Sequence, residues 1–228
     1  MSVLTLVRHG QASFGAERYD RLSPLGERQA EHLRQHFEAI GHLPHRLIAG
    51  RLDRQQSTAR ILAGSRNVEL VIDDAFDEYD AGTLLRLHAE RHGTSIADLM
   101  GDDGRIDARR FQRRLETVGL AWVAGELAAP TLERWPEFRS RVGRGLATVM
   151  DQAGRGTRVI VCTSAGVIGA AVGELLGLDD RETLKLSWSV HNSSMTQILF
   201  DGERRSLRCF NAVPHLEHPE RRNLLTYR

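Results

Sequence analysis

Apolar residues along the chain alternate between short runs of strand length and longer stretches with helical spacing. Residues 3–7 are apolar and rich in β-branched side chains, and a polar, glycine-containing stretch follows them, which predicts a buried strand that ends in a loop. Ser23 and Pro24 then supply a helix cap and a first turn, and apolar residues recur at intervals of three and four up to Gly41. The opening therefore predicts a strand, a loop and an amphipathic helix.

Further short apolar runs share the composition of strands: residues 47–49, 68–72, 159–162, 194–200 and 206–210. Helical spacing predicts helices at about 54–62 and 165–177. Residues 83–152 have helical patterning only, with interruptions near 101–104 and 129–130. Strands that alternate with helices predict a three-layer α/β/α sandwich with a mostly parallel central sheet, and we interpret 83–152 as helical cover on one side of it.

Composition is typical of a globular protein. The 228 residues fit one domain over 1–228 that can bury a large apolar core. The 31 basic and 30 acidic residues are spread along the chain, without the basic tail or stripe that nucleic-acid binding favours. There is no charged-then-apolar leader and no long apolar run, and two cysteines are too few for a disulfide framework. We therefore expect a cytoplasmic protein without a nucleic-acid or membrane partner.

The clearest candidate for chemistry is Arg8-His9-Gly10, which directly follows the first apolar strand. Open α/β sheets present ligand-binding groups at this end of a strand. An imidazole there can attack phosphorus, an adjacent guanidinium neutralises phosphoryl oxygens, and a glycine lets the backbone approach the ligand. Taken alone, the tripeptide also fits an ordinary loop. Residues 91–93 repeat it after a helical stretch, and we interpret that copy as a decoy.

Patterns further along the chain favour a site at the first Arg-His-Gly, residues 8–10. Residues 22–30 hold Leu-x-x-x-Gly-x-x-Gln-Ala, and residues 52–59 hold Leu-x-Arg-x-x-x-Thr-Ala at a helix start. With the strand and Arg-His-Gly, these patterns resemble the histidine phosphatase family, which has the phosphoglycerate mutase-like fold. Residues 135–142 and 211–216 resemble later stretches of the same family and support the fold more than the catalysis. The resemblance implies that His9 takes a phosphoryl group from its substrate.

The resemblance also implies roles for other residues. Arg8 and Arg54 would bind phosphate, with Gly10 beside them, and the start of a helix suits an anion because free N–H groups add to the arginine charge. Glu78 matches the family's proton donor after the third strand. On its own, Glu78 also fits a solvated acidic turn with Asp77. A neighbouring carboxylate would raise the pKa of a glutamic acid, which suits a proton donor.

One position departs from the family. After the strand 159–162 the family continues Thr-His-Gly-Gly, whereas this chain has Ser164 in place of the second histidine. A hydroxyl donates a neutral hydrogen bond that is roughly half as strong as one from imidazolium, so the rate of reaction comes into question. Ser164 also fits the cap of the next helix, a role compatible with phosphate contact. His191 is the nearest candidate for a substitute imidazole.

The predicted function is therefore that of a phosphohydrolase, which acts on a small phosphomonoester through a phosphohistidine on His9. No cofactor and no metal are implied. A weakly active or inactive protein that binds phosphorylated ligands on the same fold is the alternative, because of Ser164. A phosphoglycerate mutase is disfavoured, because the family's mutases have Arg-His-Tyr-Gly after the acid and this chain has residues 79–82, Tyr-Asp-Ala-Gly.

Overall fold

The structure, a computed structural model, describes residues 1–13, 20–95, 98, 107–202 and 204–227, without the side chain of Ala108. These residues form two compact units, one of Met1–Glu78 with Arg141–Arg228 and one of Tyr79–Ser140. The predicted interruption at 101–104 lies outside the described residues. The single domain over 1–228 stays a prediction.

The strands of the first unit are β1 (Ser2–Arg8), β2 (Arg46–Ala49), β3 (Leu70–Ile72), β4 (Arg158–Thr163), β5 (Met195–Asp201) and β6 (Arg204–Ala212). They form one sheet in the order β3-β2-β4-β1-β5-β6. β1, β2, β3 and β4 are parallel, and β5 runs antiparallel to both of its neighbours. The mostly parallel sheet is confirmed, and its register places Arg8 beside Thr163. The loops after β1 and β4 therefore begin side by side.

The α-helices are α1 (Pro24–Ala39), α2 (Asp53–Ala63), α3 (Ala81–His92), α4 (Ala108–Val123), α5 (Trp135–Asp151), α6 (Ala165–Leu176) and α7 (Asp180–Trp188). α7 was not predicted, because its sequence is largely polar and its start depends on Asp179, whose Oδ1 accepts a hydrogen bond from Glu182 N at 2.8 Å. β3 is shorter than the predicted 68–72. Among the described residues, no helix combines the length and the apolar character that a membrane span requires.

Helices of the first unit cover both faces of the sheet. One buried cluster joins α1 and α2 to β1, β2 and β4: Val7, Leu33, Phe37, Leu47, Ala49, Ala59, Leu62, Ile160 and Cys162. On the other face, Leu146 of α5 and Ala171 of α6 line a small cavity with Ile198, whose partner in the neighbouring strand is Leu4. Leu4 and Val7 point to opposite faces because side chains alternate along a strand. The predicted α/β/α sandwich is confirmed.

The second unit holds α3, α4 and the first turns of α5. Its core is aromatic: Trp122 lies 4.9 Å from Tyr79, 5.2 Å from Trp135 and 5.7 Å from Phe138 between ring centroids. Trp135 and Phe138 belong to the helical spacing seen in the sequence, and they are fully buried. The helical character of this segment is confirmed for the described residues, whereas its role as cover on one side of the sheet stays a prediction.

Two glycines let the loop after β1 lie against the start of α1. A Cβ on Gly10 would come within 2.3 Å of Gly26 O, and a Cβ on Gly26 would come within 2.1 Å of Gln11 O. Gln29, one turn further along α1, accepts a hydrogen bond from Gln11 N at 2.8 Å through its Oε1. The Leu-x-x-x-Gly-x-x-Gln-Ala pattern therefore holds the backbone that follows His9.

The segment after α7 supports the same loop from the other side. Asn192 Nδ2 and Ser193 N both donate to His9 O, at 3.2 and 3.3 Å. Ser193 has a left-handed backbone with φ of 56°, and its Oγ is hydrogen-bonded to His215 Nε2 at 2.8 Å. Burial lowers the pKa of His215 to about 3, with smaller contributions from the positive charges of neighbouring histidines and Arg221. The segment after β6 is thus packed through His215.

Substitution of Gly26 by alanine should destabilise the protein by roughly 1–3 kcal/mol, because the new Cβ meets backbone atoms that cannot rotate away. Gly154→Ala is the matched control, since its Cβ would meet only Thr157 Oγ1 at 3.6 Å, and we expect a change of about 0.5 kcal/mol or less from it. Urea unfolding measures both free energies. Equal values for the two variants would contradict the close approach of the loop to α1.

The low pKa of His215 predicts a loss of stability in acid. The unfolded chain takes up a proton on this histidine below its usual value of 6.5, whereas the folded chain does so only near 3. Stability is therefore complete above pH 6.5 and falls as the pH decreases, by roughly 2–3 kcal/mol at pH 4.5. In His215→Gln that decrease should be absent from the unfolding free energy, whereas a substitution of the exposed His218 should leave the slope unchanged. If the unfolding free energy of His215→Gln decreased with pH as steeply as that of the wild type, the loss of stability in acid would not come from His215.

Candidate active site

His9 lies immediately beyond the carboxyl end of β1, with 6% of its surface exposed. Its Nδ1 is 2.7 Å from Gly10 O, and a carbonyl oxygen only accepts, so Nδ1 carries the ring hydrogen of the neutral imidazole. Nε2 accepts a hydrogen bond from Arg54 Nε at 3.1 Å, which places its lone pair toward the guanidinium. The ring is therefore fixed in the tautomer whose Nε2 can act as a nucleophile.

Electrostatics keep this imidazole neutral. Burial lowers the pKa of His9 well below its usual value of 6.5, and the positive charges of Arg54 and Arg8 lower it further. The hydrogen bond to Gly10 O acts in the opposite direction but is the smallest influence. A lone pair is thus available on Nε2 at neutral pH, which attack on phosphorus requires.

Arg54 occupies the first turn of α2, where the sequence predicted a phosphate-binding position. Its side chain is 11% exposed and bridges two groups, because Nε donates to His9 Nε2 and Nη1 donates to Asp20 Oδ1 at 2.5 Å. Asp20 Oδ2 also accepts from Asp53 N at 2.8 Å. Asp20 was not predicted from the sequence. Its carboxylate binds the start of α2 and one side of the guanidinium, as an anion would.

Arg8 and Gly10 complete the loop after β1. Arg8 Nη1 donates to Val190 O, so its side chain is directed toward the segment between α7 and β5. Gly10 N donates to Thr58 Oγ1 at 3.1 Å, and this hydroxyl donates to Arg54 O at 2.8 Å. Thr58, the threonine of the Leu-x-Arg-x-x-x-Thr-Ala pattern, therefore ties the loop to the helix that carries Arg54.

Ser164 is the N-cap residue of α6 and is 1% exposed. The predicted cap position is therefore confirmed, although its Oγ makes no capping hydrogen bond within the described chain. Instead it accepts a hydrogen bond from Gln55 Nε2 at 2.8 Å. Because Gln55 supplies the donor, the Ser164 hydroxyl keeps its own hydrogen for another acceptor. Gln55 follows Arg54 in α2 and was not predicted.

Glu78 lies at the start of the same helix. Its Oε2 accepts from Gly166 N at 3.0 Å. Phe76 O, two residues earlier, accepts from Gln55 Nε2 at 3.1 Å and from Thr163 Oγ1 at 2.7 Å, which ties this segment to α2 and β4. Gln55 therefore links the segment that leads to Glu78 with Ser164.

Arg141 also supports the segment before Glu78. Its Nη1 donates to Asp74 O, Ala75 O and Asp77 O at 2.8, 3.0 and 3.2 Å. Arg141 lies in residues 135–142, whose Trp-x-x-Phe-x-x-Arg-Val pattern supports the fold more than the catalysis. The side chain is a structural support for the residues that lead to Glu78.

The acidic residues around Glu78 have partners of their own. Both Asp77 oxygens are 2.6 Å from Arg51, one from its backbone N and one from its Nε, so this negative charge is compensated. Asp73 caps a short 3₁₀ helix through Ala75 N at 2.9 Å, and Asp80 caps α3 through Thr83 N at 2.9 Å. The run of carboxylates is not a purely solvated turn.

His191 and residues 91–93 have other structural roles. His191 Nδ1 is 3.2 Å from Asn211 Oδ1, and its ring packs against that of Tyr227 at a tilt of 35°, with centroids 4.3 Å apart. No hydrogen bond between His191 and His9 occurs in the part of the chain that the structure describes. His92 ends α3 and Gly93 is its left-handed C-cap, so the second Arg-His-Gly is the end of a helix.

The structure thus joins His9 directly to Arg54, and Ser164 to Gln55 in the same helix turn. The residues that sequence reasoning missed are Asp20, Gln55, Thr58, Arg141 and Asn192. Thr58 and Arg141 carried a signal, because each belongs to a pattern seen in the sequence, and Thr58 also lies four residues after Arg54 and therefore on the same face of α2. A buried neutral imidazole beside a guanidinium can accept a phosphoryl group. No group of three or more His, Cys, Asp or Glu side chains suited to a metal ion occurs among the described residues.

The chain is similar to several known proteins in sequence and in structure. A probable phosphoglycerate mutase GpmB from Enterobacter sp. (strain 638) is 28% identical over 179 residues, which cover 76% of this chain and 74% of that protein. The structure of YhfR from Bacillus stearothermophilus has a TM-score of 0.67 at 20% identity and covers 95% of this chain and 100% of that one. A phosphoserine phosphatase from Entamoeba histolytica, in complex with 3-phosphoglyceric acid, has a TM-score of 0.66 at 21% identity and covers 95% of this chain and 100% of that one.

At these identities the solved structures share the fold alone. The family model of the histidine phosphatase superfamily (branch 1) matches residues 4–213, which is nearly the whole chain. That range includes every residue of the hydrogen-bonded network from His9 to Ser164. The chain therefore belongs to the histidine phosphatase superfamily.

Proposed function

We propose that the protein is a phosphatase that hydrolyses small phosphomonoesters through a phosphohistidine on Nε2 of His9. The observation that carries the proposal is the hydrogen bond from Arg54 Nε to Nε2 of a neutral, buried imidazole at the end of β1. The same guanidinium that meets this nitrogen would bind the phosphoryl oxygens once substrate enters, because a tetrahedral dianion is a better partner for it than a neutral ring.

In the first step, the His9 Nε2 lone pair attacks phosphorus and the bond from phosphorus to the alcohol oxygen breaks. Arg8 and Arg54 stabilise the charge on the equatorial oxygens, and the Ser164 hydroxyl donates its hydrogen to one of them. Glu78, in its protonated form, gives its proton to the departing alcohol. In the second step, water attacks the phosphohistidine, Glu78 takes the water's proton, and Nε2 is released with inorganic phosphate.

Hydrolysis is favoured over phosphoryl transfer back to a sugar acid. The family's mutases carry a cation directly after the acid, whereas Asp80 stands two positions after Glu78 here and caps α3. An anion in this stretch disfavours a second acidic group on the substrate. The relatives support the class of substrate, since their names refer to phosphoglycerate and phosphoserine.

His9→Ala should lower turnover of a generic aryl phosphate by roughly a thousandfold or more, because it removes the nucleophile. Acid-labile labelling by radioactive substrate phosphate should appear rapidly in the wild type and vanish in the variant. His218→Ala, at an exposed histidine, is the control for a general loss of imidazole and should label as the wild type does.

Equal turnover in His9→Ala and the wild type would favour the alternative of an inactive protein that binds phosphorylated ligands. Labelled enzyme that passes its phosphoryl group to 3-phosphoglycerate faster than to water would instead identify a mutase. Abundant labelling of His9→Ala would remove this histidine from the mechanism.

Ser164→Ala should lower kcat about tenfold, the effect of one neutral hydrogen bond to the developing charge. Ser187→Ala is the matched control, because Ser187 is also a buried serine, and its Oγ donates to Leu184 O at 2.6 Å in α7. We expect both variants to lose similar stability and only Ser164→Ala to lose turnover. A kcat that decreases equally in both variants would show that the Ser164 hydroxyl acts only on the fold.

A further inference from the structure

The Arg54 guanidinium is held through two different nitrogens. Nε donates to His9 Nε2 at 3.1 Å, and Nη1 donates to Asp20 Oδ1 at 2.5 Å. A guanidinium is planar and its N–H groups point in fixed directions, so hydrogen bonds from two nitrogens restrict its rotation. The contact with Asp20 therefore helps to set the direction in which Nε points.

Asp20 is itself tied to the loop after β1. The backbone oxygen of the next residue, Arg21, accepts a hydrogen bond from Ser13 N at 2.8 Å. Leu22 pairs with Ala12 in an antiparallel bridge. The loop that follows the nucleophile thus also fixes the carboxylate that holds the guanidinium. The imidazole and the guanidinium are positioned by this loop as well as by their own hydrogen bond.

The same carboxylate caps α2. The helix begins after Leu52, whose side chain has no oxygen that could accept a hydrogen bond. Instead, Asp20 Oδ2 accepts from Asp53 N at 2.8 Å, across 33 residues of sequence. A cap needs an oxygen acceptor, and asparagine or serine serves about as well as aspartate. Capping alone therefore does not require the negative charge of Asp20.

The charge of Asp20 matters for the bond to Arg54. A hydrogen bond between a guanidinium and a carboxylate is roughly twice as strong as one between neutral groups. The Arg54 side chain is 11% exposed, whereas that of Asp20 is 40% exposed, so water reaches this ion pair mainly from the side of the carboxylate. Burial of the guanidinium reduces the screening that weakens ion pairs on an open surface.

We propose that Asp20 is a positioning residue of the active site, whose carboxylate keeps Arg54 Nε directed at Nε2 of His9, the atom that would carry the phosphoryl group. The proposal rests on the phosphatase function proposed above. Asp20 binds Nη1 and Nε meets His9, so phosphate can reach the edge of the guanidinium that faces the ring without displacing the carboxylate. Loss of the carboxylate should therefore weaken phosphate binding, although it removes a nearby negative charge.

The first test measures the Kd of inorganic phosphate with the full chain. Asp20→Asn keeps an oxygen that can cap α2 and removes the charge that binds Arg54. Asp53→Asn is the matched control, because it removes an exposed carboxylate from the first turn of the same helix. Asp20→Asn in an Arg54→Ala background shows whether the effect passes through the guanidinium. Asp20→Ser, which also keeps a cap, repeats the test if Asp20→Asn does not fold.

We expect Asp20→Asn to raise the Kd of phosphate roughly five- to tenfold and Asp53→Asn to change it by less than about twofold. Once Arg54 is alanine, Asp20→Asn should change the Kd by less than about twofold. Tighter phosphate binding by Asp20→Asn would overturn the proposal, because the carboxylate would then compete with phosphate. An equal loss with and without Arg54 would also overturn it, and Asp20 would then act only as a cap of α2.

A second test needs no ligand. The imidazole ¹⁵N signal of a ring nitrogen shifts when that nitrogen accepts a hydrogen bond, so the Nε2 signal of His9 reports on Arg54. In Asp20→Asn we expect this signal to move toward its position in Arg54→Ala, and in Asp53→Asn to stay where it is in the wild type. An unchanged signal in Asp20→Asn would overturn the proposal.

The two proposals can fail separately. If the wild type does not hydrolyse an aryl phosphate but the His9 signal responds to Asp20→Asn as expected, the phosphatase proposal fails and the positioning of Arg54 by Asp20 stands. If the wild type hydrolyses the aryl phosphate and Asp20→Asn changes neither the His9 signal nor the Kd of phosphate, the phosphatase proposal stands and the role of Asp20 is refuted.

Discussion

The geometry of the candidate active site depends on one contact, the hydrogen bond from Arg54 Nε to Nε2 of His9. A guanidinium cannot donate to a protonated nitrogen, so the contact exists only while the imidazole is neutral and its hydrogen is on Nδ1. Gly10 O accepts that hydrogen, and burial lowers the pKa of the ring more than either arginine does. The same hydrogen bond therefore sets the positions of the His9 imidazole and the Arg54 guanidinium.

Most of the hydrogen bonds that hold the buried Arg54 and the loop around His9 come from residues of α2. Thr58 ties the loop to this helix, and Gln55 connects it to Ser164 and to the carbonyl of Phe76. Gly50 makes room for this arrangement, because a Cβ there would come within 2.1 Å of Gln55 Oε1. Consecutive residues of one helix turn thus hold the His9 ring through Arg54, and the Ser164 hydroxyl and the segment that leads to Glu78 through Gln55. A shift of α2 would disturb all three together.

Much of this architecture could be predicted from local patterns. Apolar runs located the strands, and the position of Arg-His-Gly directly after β1 distinguished the site from its copy at the end of α3. The missing contacts have no local signature. Asp20 binds Arg54 from 34 residues away, and Arg141 reaches Asp74 O across 67 residues, so only the folded chain brings them together. α7 was missed for a related reason, since polar residues there are buried through contacts that no periodicity displays.

Ser164 in place of a histidine can be understood from the charge around it. The site already holds Arg8 and Arg54, and both lower the pKa of His9. The N-terminus of α6 adds partial positive charge beside residue 164. An imidazolium there would add a third cation to this buried cluster. A hydroxyl that accepts from Gln55 Nε2 fills the position without adding a charge to the cluster, and it leaves no buried ion there that needs a partner.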